Sequence, residues 1–123
     1  MPEAGAPRLA GCLAAGQAPE LRQLLYFVTV VQTGSISGAA RALGVAQPAV
    51  SRQMRCLEAT LGAPLLLRSG RGSDLTAAGR RVYRHALGIL EGVASLLREL
   101  HPPATTPRVV SGAAPDIVRP AGA

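Results

Sequence analysis

Three glycines, Gly34, Gly44 and Gly62, divide residues 21–64 into short segments that each carry helical periodicity. Helices this short are marginal in water by themselves, so their apolar faces must be buried against one another. The first segment, 21–32, places Leu21, Leu24, Leu25, Val28 and Val31 on one face, widened by Phe27 and Val30. Gly34 ends it, and Ser35 stands ready to cap the next. In the second, about 36–43, Ile36, Ala39, Ala40 and Leu43 follow helical spacing, and the alanines permit close helix approach. Gly44 closes it. The third begins near Gln47, with Pro48 in the first turn, where its missing N–H costs nothing. Val50, Met54, Leu57 and Leu61 form its inner face, and Gly62 and Pro64 stop it.

Beyond Pro64 the pattern changes. "PLLLRSGRGSDLT" reads as two short extended pieces around a Gly-rich turn, a small β-hairpin. Thr76 is placed to cap a fourth, long helix over about 77–100, which Pro102 and Pro103 end. Residues 1–19 are rich in Ala, Gly and Pro without period and are expected to be a disordered extension. Residues 102–123 are similar in composition, although "RVVSGAAPDIV" has the look of a strand fragment. The expected organisation is an extension (1–19), a mainly α domain (20–76), a long helix (77–101) and a flexible tail (102–123).

The third helix carries the chemistry. Val50, Met54, Leu57 and Leu61 define one direction on a 3.6-residue period. Pro48, Arg52 and Arg55 then point almost opposite, with Gln47 and Ser51 along one flank of that outer face. Such a helix start suits a DNA major groove: Arg can fork onto guanine, Gln onto adenine, and Ser onto a base edge or phosphate. The two preceding helices and the Gly44-Val45-Ala46 turn complete a helix-turn-helix. A solvated polar face would show the same pattern, and charge separates the two readings. From 41 to 84 the chain carries Arg41, Arg52, Arg55, Arg68, Arg71, Arg80, Arg81 and Arg84, against only Glu58 and Asp74. The net charge of +6 is thus concentrated around the helix-turn-helix, the hairpin and the start of the long helix. That concentration points to nucleic acid. Arg68 and Arg71 flank "SG", so the hairpin tip offers two cations to phosphate or a minor groove. An ordinary tight turn with solvated arginines is the plainer alternative. The absence of Lys fits a GC-rich coding bias in an Ala-, Gly- and Pro-rich chain and carries no functional weight.

These residues resemble the winged helix-turn-helix of LysR-type transcriptional regulators. The matching pieces are "LRQLLYFVTVVQTGSISGAARALGVAQPAVSRQMRCLEATLGAPLLLRSGRG" and "LTAAG", in the family's order and spacing, within residues 20–100. The resemblance implies a mainly α fold: three helices and a two-stranded β-wing, followed by a long dimerisation linker helix. It implies that Gln47, Pro48, Ser51 and Arg52 approach bases or nearby phosphates, that Arg68 and Arg71 are the wing's basic positions, and that Ser35 and Ser37 face the DNA backbone. "VAQPAVSRQ" followed by "LLLRSGRG" is similar to a subgroup that includes nitrogen-assimilation regulators; no target pathway follows from so short a match. Two departures concern packing. Leu66 stands where many members have Phe, which should loosen the region beneath the wing. Ala46 replaces a frequent Ser or Thr, so a helix cap worth about 1 kcal/mol is expected to be missing. Full members continue into an effector-binding domain of two α/β subdomains, of which "RVVSGAAPDIV" resembles a first strand. No small-molecule effector is therefore expected for this chain.

On the long helix, Val82, Ala86, Ile89, Val93, Leu96 and Leu100 run at the 4-3-4-3-4 spacing of a coiled-coil seam, with Leu87, Leu90 and Leu97 beside it. A domain this small cannot cover both stripes, so the surplus should meet another chain. The family resemblance implies pairing of two linker helices in a homodimer. Packing of the helix on its own domain explains only one stripe.

Other chemistries find little support. Cys12 and Cys56 suggest two reduced thiols, and His85 and His101 lack companions at metal-ligand spacing. "SGRGSD" lacks the Lys-Ser/Thr ending of a P-loop, and no paired carboxylates or nucleophile–base set appears. No enzyme and no cofactor are expected. "LAGC" at residues 9–12 has lipoprotein letters, but "MPEAGAPR" before it is neither basic nor apolar enough for a leader. With no long apolar run, a cytoplasmic protein without membrane contact is expected. The expected function is sequence-specific binding of double-stranded DNA by a transcriptional regulator lacking its ligand-sensing domain. The competing possibility is an interaction module that heterodimerises with full-length relatives through the linker helix and blocks them. An intact Gln47–Arg55 face, which such a decoy does not need, distinguishes the two.

Overall fold

The computed structural model describes residues 2–13, 18–69 and 72–101. Helix α1 (Pro2–Leu13) comes first. It corrects the expectation of an irregular extension over 1–19 for residues 2–13, although Gly5, Pro7 and Gly11 inside it disfavour helix. Its side chains from Arg8 to Leu13 are all exposed.

The core is built from α2 (Leu21–Thr33), α3 (Ile36–Leu43) and α4 (Gln47–Leu61). Helix α2 packs on both α3 and α4, and α3 on α4. Leu24, Phe27, Val28, Val30, Ile36, Ala39, Ala40, Val50, Met54, Leu57 and Leu65 are buried where these helices meet and just beyond α4. On α2 the buried face is rotated from the one the spacing suggests. Phe27 and Val30 lie at the centre, whereas Leu21 and Leu25 are exposed. Seven apolar residues on two overlapping stripes leave the choice of face open, and the positions of α3 and α4 make it. Gln23, the buried polar residue of this core, has its side-chain carbonyl accept from the Glu20 backbone N–H at 3.1 Å. That satisfies a group at the helix start that would otherwise lack a partner.

Strands β1 (Leu66–Ser69) and β2 (Gly72–Leu75) pair antiparallel, with Leu66 opposite Leu75 and Arg68 opposite Ser73. Helix α5 (Ala77–Leu100) follows, capped as its sequence suggests: the Thr76 hydroxyl accepts from Gly79 N at 2.9 Å and donates to Pro64 O at 2.7 Å. Beside Leu66 lies a cleft of about 310 Å³, lined also by Val31, Leu75 and Arg80. The chain divides into two units near Gly88. In the second, described by itself, α5 leaves Ile89, Leu96, Leu97 and Leu100 exposed. No described helix is long and apolar enough to cross a membrane. The strand-like stretch near Val110 lies outside the described residues.

Candidate nucleic-acid interface

The site is the outer edge of α3 and α4, and the turn between them sets its shape. Gly44 adopts φ 72° and ψ 33°, a left-handed conformation that favours glycine. Its N–H and that of Val45 bond back to carbonyls of α3, so the chain reverses within a few residues. Ala46 then opens α4 in an extended conformation with no side-chain cap, as its departure from Ser or Thr implies. Ser35 caps α3, its hydroxyl accepting from Gly38 N at 2.9 Å.

From this start α4 presents two unlike faces. Val50, Met54 and Leu57 are at most 2% exposed. Gln47, Pro48, Arg52 and Arg55 are exposed, and Ser51 is half-buried on the flank. Neither Arg52 nor Arg55 makes a hydrogen bond or ion pair within the described residues. Their guanidinium groups are therefore available to an outside anion, each with donors in a rigid fork. Gln47 is different. Its side-chain oxygen accepts from the Ser37 hydroxyl at 3.1 Å, tying the first residue of α4 to α3.

Two contributions to this edge escape sequence reading. The first is Glu58, whose carboxylate accepts from the backbone N–H groups of Leu65 at 2.7 Å and Leu66 at 3.2 Å. It holds the chain entering β1, so one of the two acids counted against the basic excess is engaged internally. A lone acid in a basic stretch is the signal that could have marked it. The second is the attachment of the wing. Ser73 N donates to Gly34 O at 3.2 Å, fastening β2 to the turn that precedes Ser35 and Ser37. Gly72 makes this approach possible: at φ 130°, an added Cβ would lie 2.5 Å from Gly34 O. In the sequence Gly72 stands only within the Gly-rich turn. A strand glycine is the cue for close backbone approach.

The remaining expected contacts are placed unequally. Ser37 is half-buried with its hydroxyl engaged, as is Ser35. Arg68 has its backbone in β1, opposite Ser73. Arg71 lies outside the described residues. On α5, Arg80, Arg81 and Arg84 line a cleft of about 590 Å³ floored by Val31, Leu75, Ala77 and Tyr83. The expected pairing seam needs one correction: Ala86 is 0% exposed and so is filled by its own chain. Its small side chain sits at the point where α5 is covered by the domain. Val82 and Val93 are half-buried, while Ile89, Leu96 and Leu100 are open. Among the described residues no group of three or more His, Cys, Asp or Glu is arranged to hold a metal ion.

A trihelical core, a turn that aims one helix outward and a two-stranded wing define a winged helix-turn-helix protein. Residues 21–80 match the family described as bacterial regulatory helix-turn-helix protein, lysR family. The chain is 51% identical over 72 residues to the HTH-type transcriptional regulator TcbR of Pseudomonas sp. (strain P51), covering 58% of this chain and 24% of that protein. It is 48% identical over 69 residues to the nitrogen assimilation regulatory protein nac of Escherichia coli (strain K12), covering 56% and 23%. Among solved structures it is similar to the CbnR_DBD–DNA complex, with 46% identity and TM-score 0.62, covering 65% of this chain and 92% of that one. The chain belongs to the LysR family. It spans about a quarter of the length of these two regulators.

Proposed function

We propose that this chain binds double-stranded DNA in a sequence-specific manner, as the DNA-reading part of a transcriptional regulator. One observation carries the reading: the outer face of α4 presents Gln47, Arg52 and Arg55 to solvent, with both guanidinium groups unengaged within the described residues. A solvated surface helix shares such an apolar back, and the excess of Arg from 41 to 84 separates the two readings. The relative in the CbnR_DBD–DNA complex was solved bound to DNA, and its 46% identity supports the same role here. Arg52 and Arg55 would supply base and phosphate contacts from α4, with Pro48 and Ser51 beside them. Arg68 and Arg71 would add wing contacts, and Ser35 and Ser37 would approach the DNA backbone. Affinity would rest mainly on Arg–phosphate contacts and specificity on the start of α4.

The exposed residues Ile89, Leu96 and Leu100, with the half-buried Val82 and Val93, are suited to meet a second copy. Two recognition helices would then read half-sites about one helical turn apart, roughly 34 Å. Selection from a random duplex library, followed by anisotropy titration of the enriched site, tests the assignment. Arg52→Ala is expected to weaken binding about five- to 150-fold, the range for losing a bidentate guanine contact. An unchanged affinity removes α4 from the groove.

A further inference from the structure

The Ser37–Gln47 contact has a consequence for which bases can be read. A glutamine amide is a two-ended group, with a carbonyl that accepts and an NH₂ that donates. Forking onto adenine uses both ends at once, the carbonyl for N6–H and the NH₂ for N7. In this structure the Gln47 carbonyl oxygen accepts from the Ser37 hydroxyl at 3.1 Å. Gln47 is otherwise exposed at the first position of α4, and Ser37 is half-buried on α3. Helix α3 packs on α4, which brings the two side chains together. The carbonyl, which keeps a second lone pair, is thereby turned toward α3 and the NH₂ end away from it.

We propose that Ser37 is a positioning residue that fixes the Gln47 amide so that its NH₂ end is presented outward. Gln47 then donates a single bond to an accepting base edge, purine N7, guanine O6 or thymine O4, and gains no second bond from adenine N6–H. This replaces the adenine fork that the residue type alone suggests. It also moves Ser37 from a backbone contact to a determinant of base choice acting through its neighbour. The inference rests on the DNA-binding reading above and deepens it.

The test is a comparison of base preference among purified full chains selected on a random duplex library. Gln47→Ala locates the base pair concerned, as the position whose preference flattens. At that position the wild-type chain and Ser37→Thr, which keeps the hydroxyl, should show no preference for adenine over guanine or thymine. Ser37→Ala should raise the relative acceptance of adenine there by about two- to tenfold, the weight of one hydrogen bond made in competition with water. Other positions should be unaffected. A uniform loss of affinity in Ser37→Ala, with the base profile intact, overturns the inference and leaves DNA binding standing. So does a Thr variant that behaves like the Ala variant. If Gln47→Ala flattens no position, Gln47 reads no base and the inference falls. If the wild-type chain enriches no sequence, it falls together with the reading beneath it.

Discussion

Helices α4 and α5 carry apolar stripes of the same kind and meet opposite fates. On α4, Val50, Met54 and Leu57 vanish almost wholly into the core. On α5, Ala86 is buried but Ile89, Leu96, Leu97 and Leu100 are 45–63% exposed. The spacing of apolar residues is helical in both, so periodicity identifies a face without saying what covers it. Helix α4 is covered because two neighbours in the same chain pack on it. That leaves its other face rigidly aimed outward, as a docking element requires. The exposed row on α5 is the face proposed above to meet a second copy.

Three substitutions break or sharpen this contrast. Leu57→Ala removes a side chain that is 0% exposed, and should lower unfolding free energy by about 2–5 kcal/mol in a urea melt. A cost well below that range would mean the core under α4 is not closely packed. Ala46→Ser supplies the cap that α4 lacks. It should raise stability by about 1 kcal/mol, seen as a higher melting temperature. Leu96→Ala, at 53% exposure, should change the unfolding free energy by less than about 0.5 kcal/mol. Sedimentation of the same variant should nevertheless show weaker self-association. If it melts like Leu57→Ala while sedimenting like the wild type, α5 is covered by its own chain and the contrast between the helices disappears.

Much of the scaffold was legible from local chemistry. Gly34, Gly44 and Gly62 end helices where an αL residue is needed, Ser35 and Thr76 cap as their hydroxyls allow, and the hairpin lies between Leu66 and Leu75. These are short-range effects, decided by residues within a few positions of one another. The outward arginines of α4 were legible for the same reason, since a buried stripe on one side of a helix leaves its opposite side exposed. The helix over Pro2–Leu13 was missed because weak propensity without amphipathic pattern looks like disorder.

What sequence determined by itself was therefore the elements from α2 onward, their ends and the polarity of α4. Only the tertiary structure decided which face of α2 became core, that Ala86 is covered while Leu96 is not, and that Glu58 ties down the start of β1. It alone brought Gly72 against Gly34 and Ser37 against Gln47. The physical reason is common to all of these. Each depends on contact between segments whose mutual placement is set by the whole packed core, whereas caps and helix ends depend on hydrogen bonds the chain can close locally.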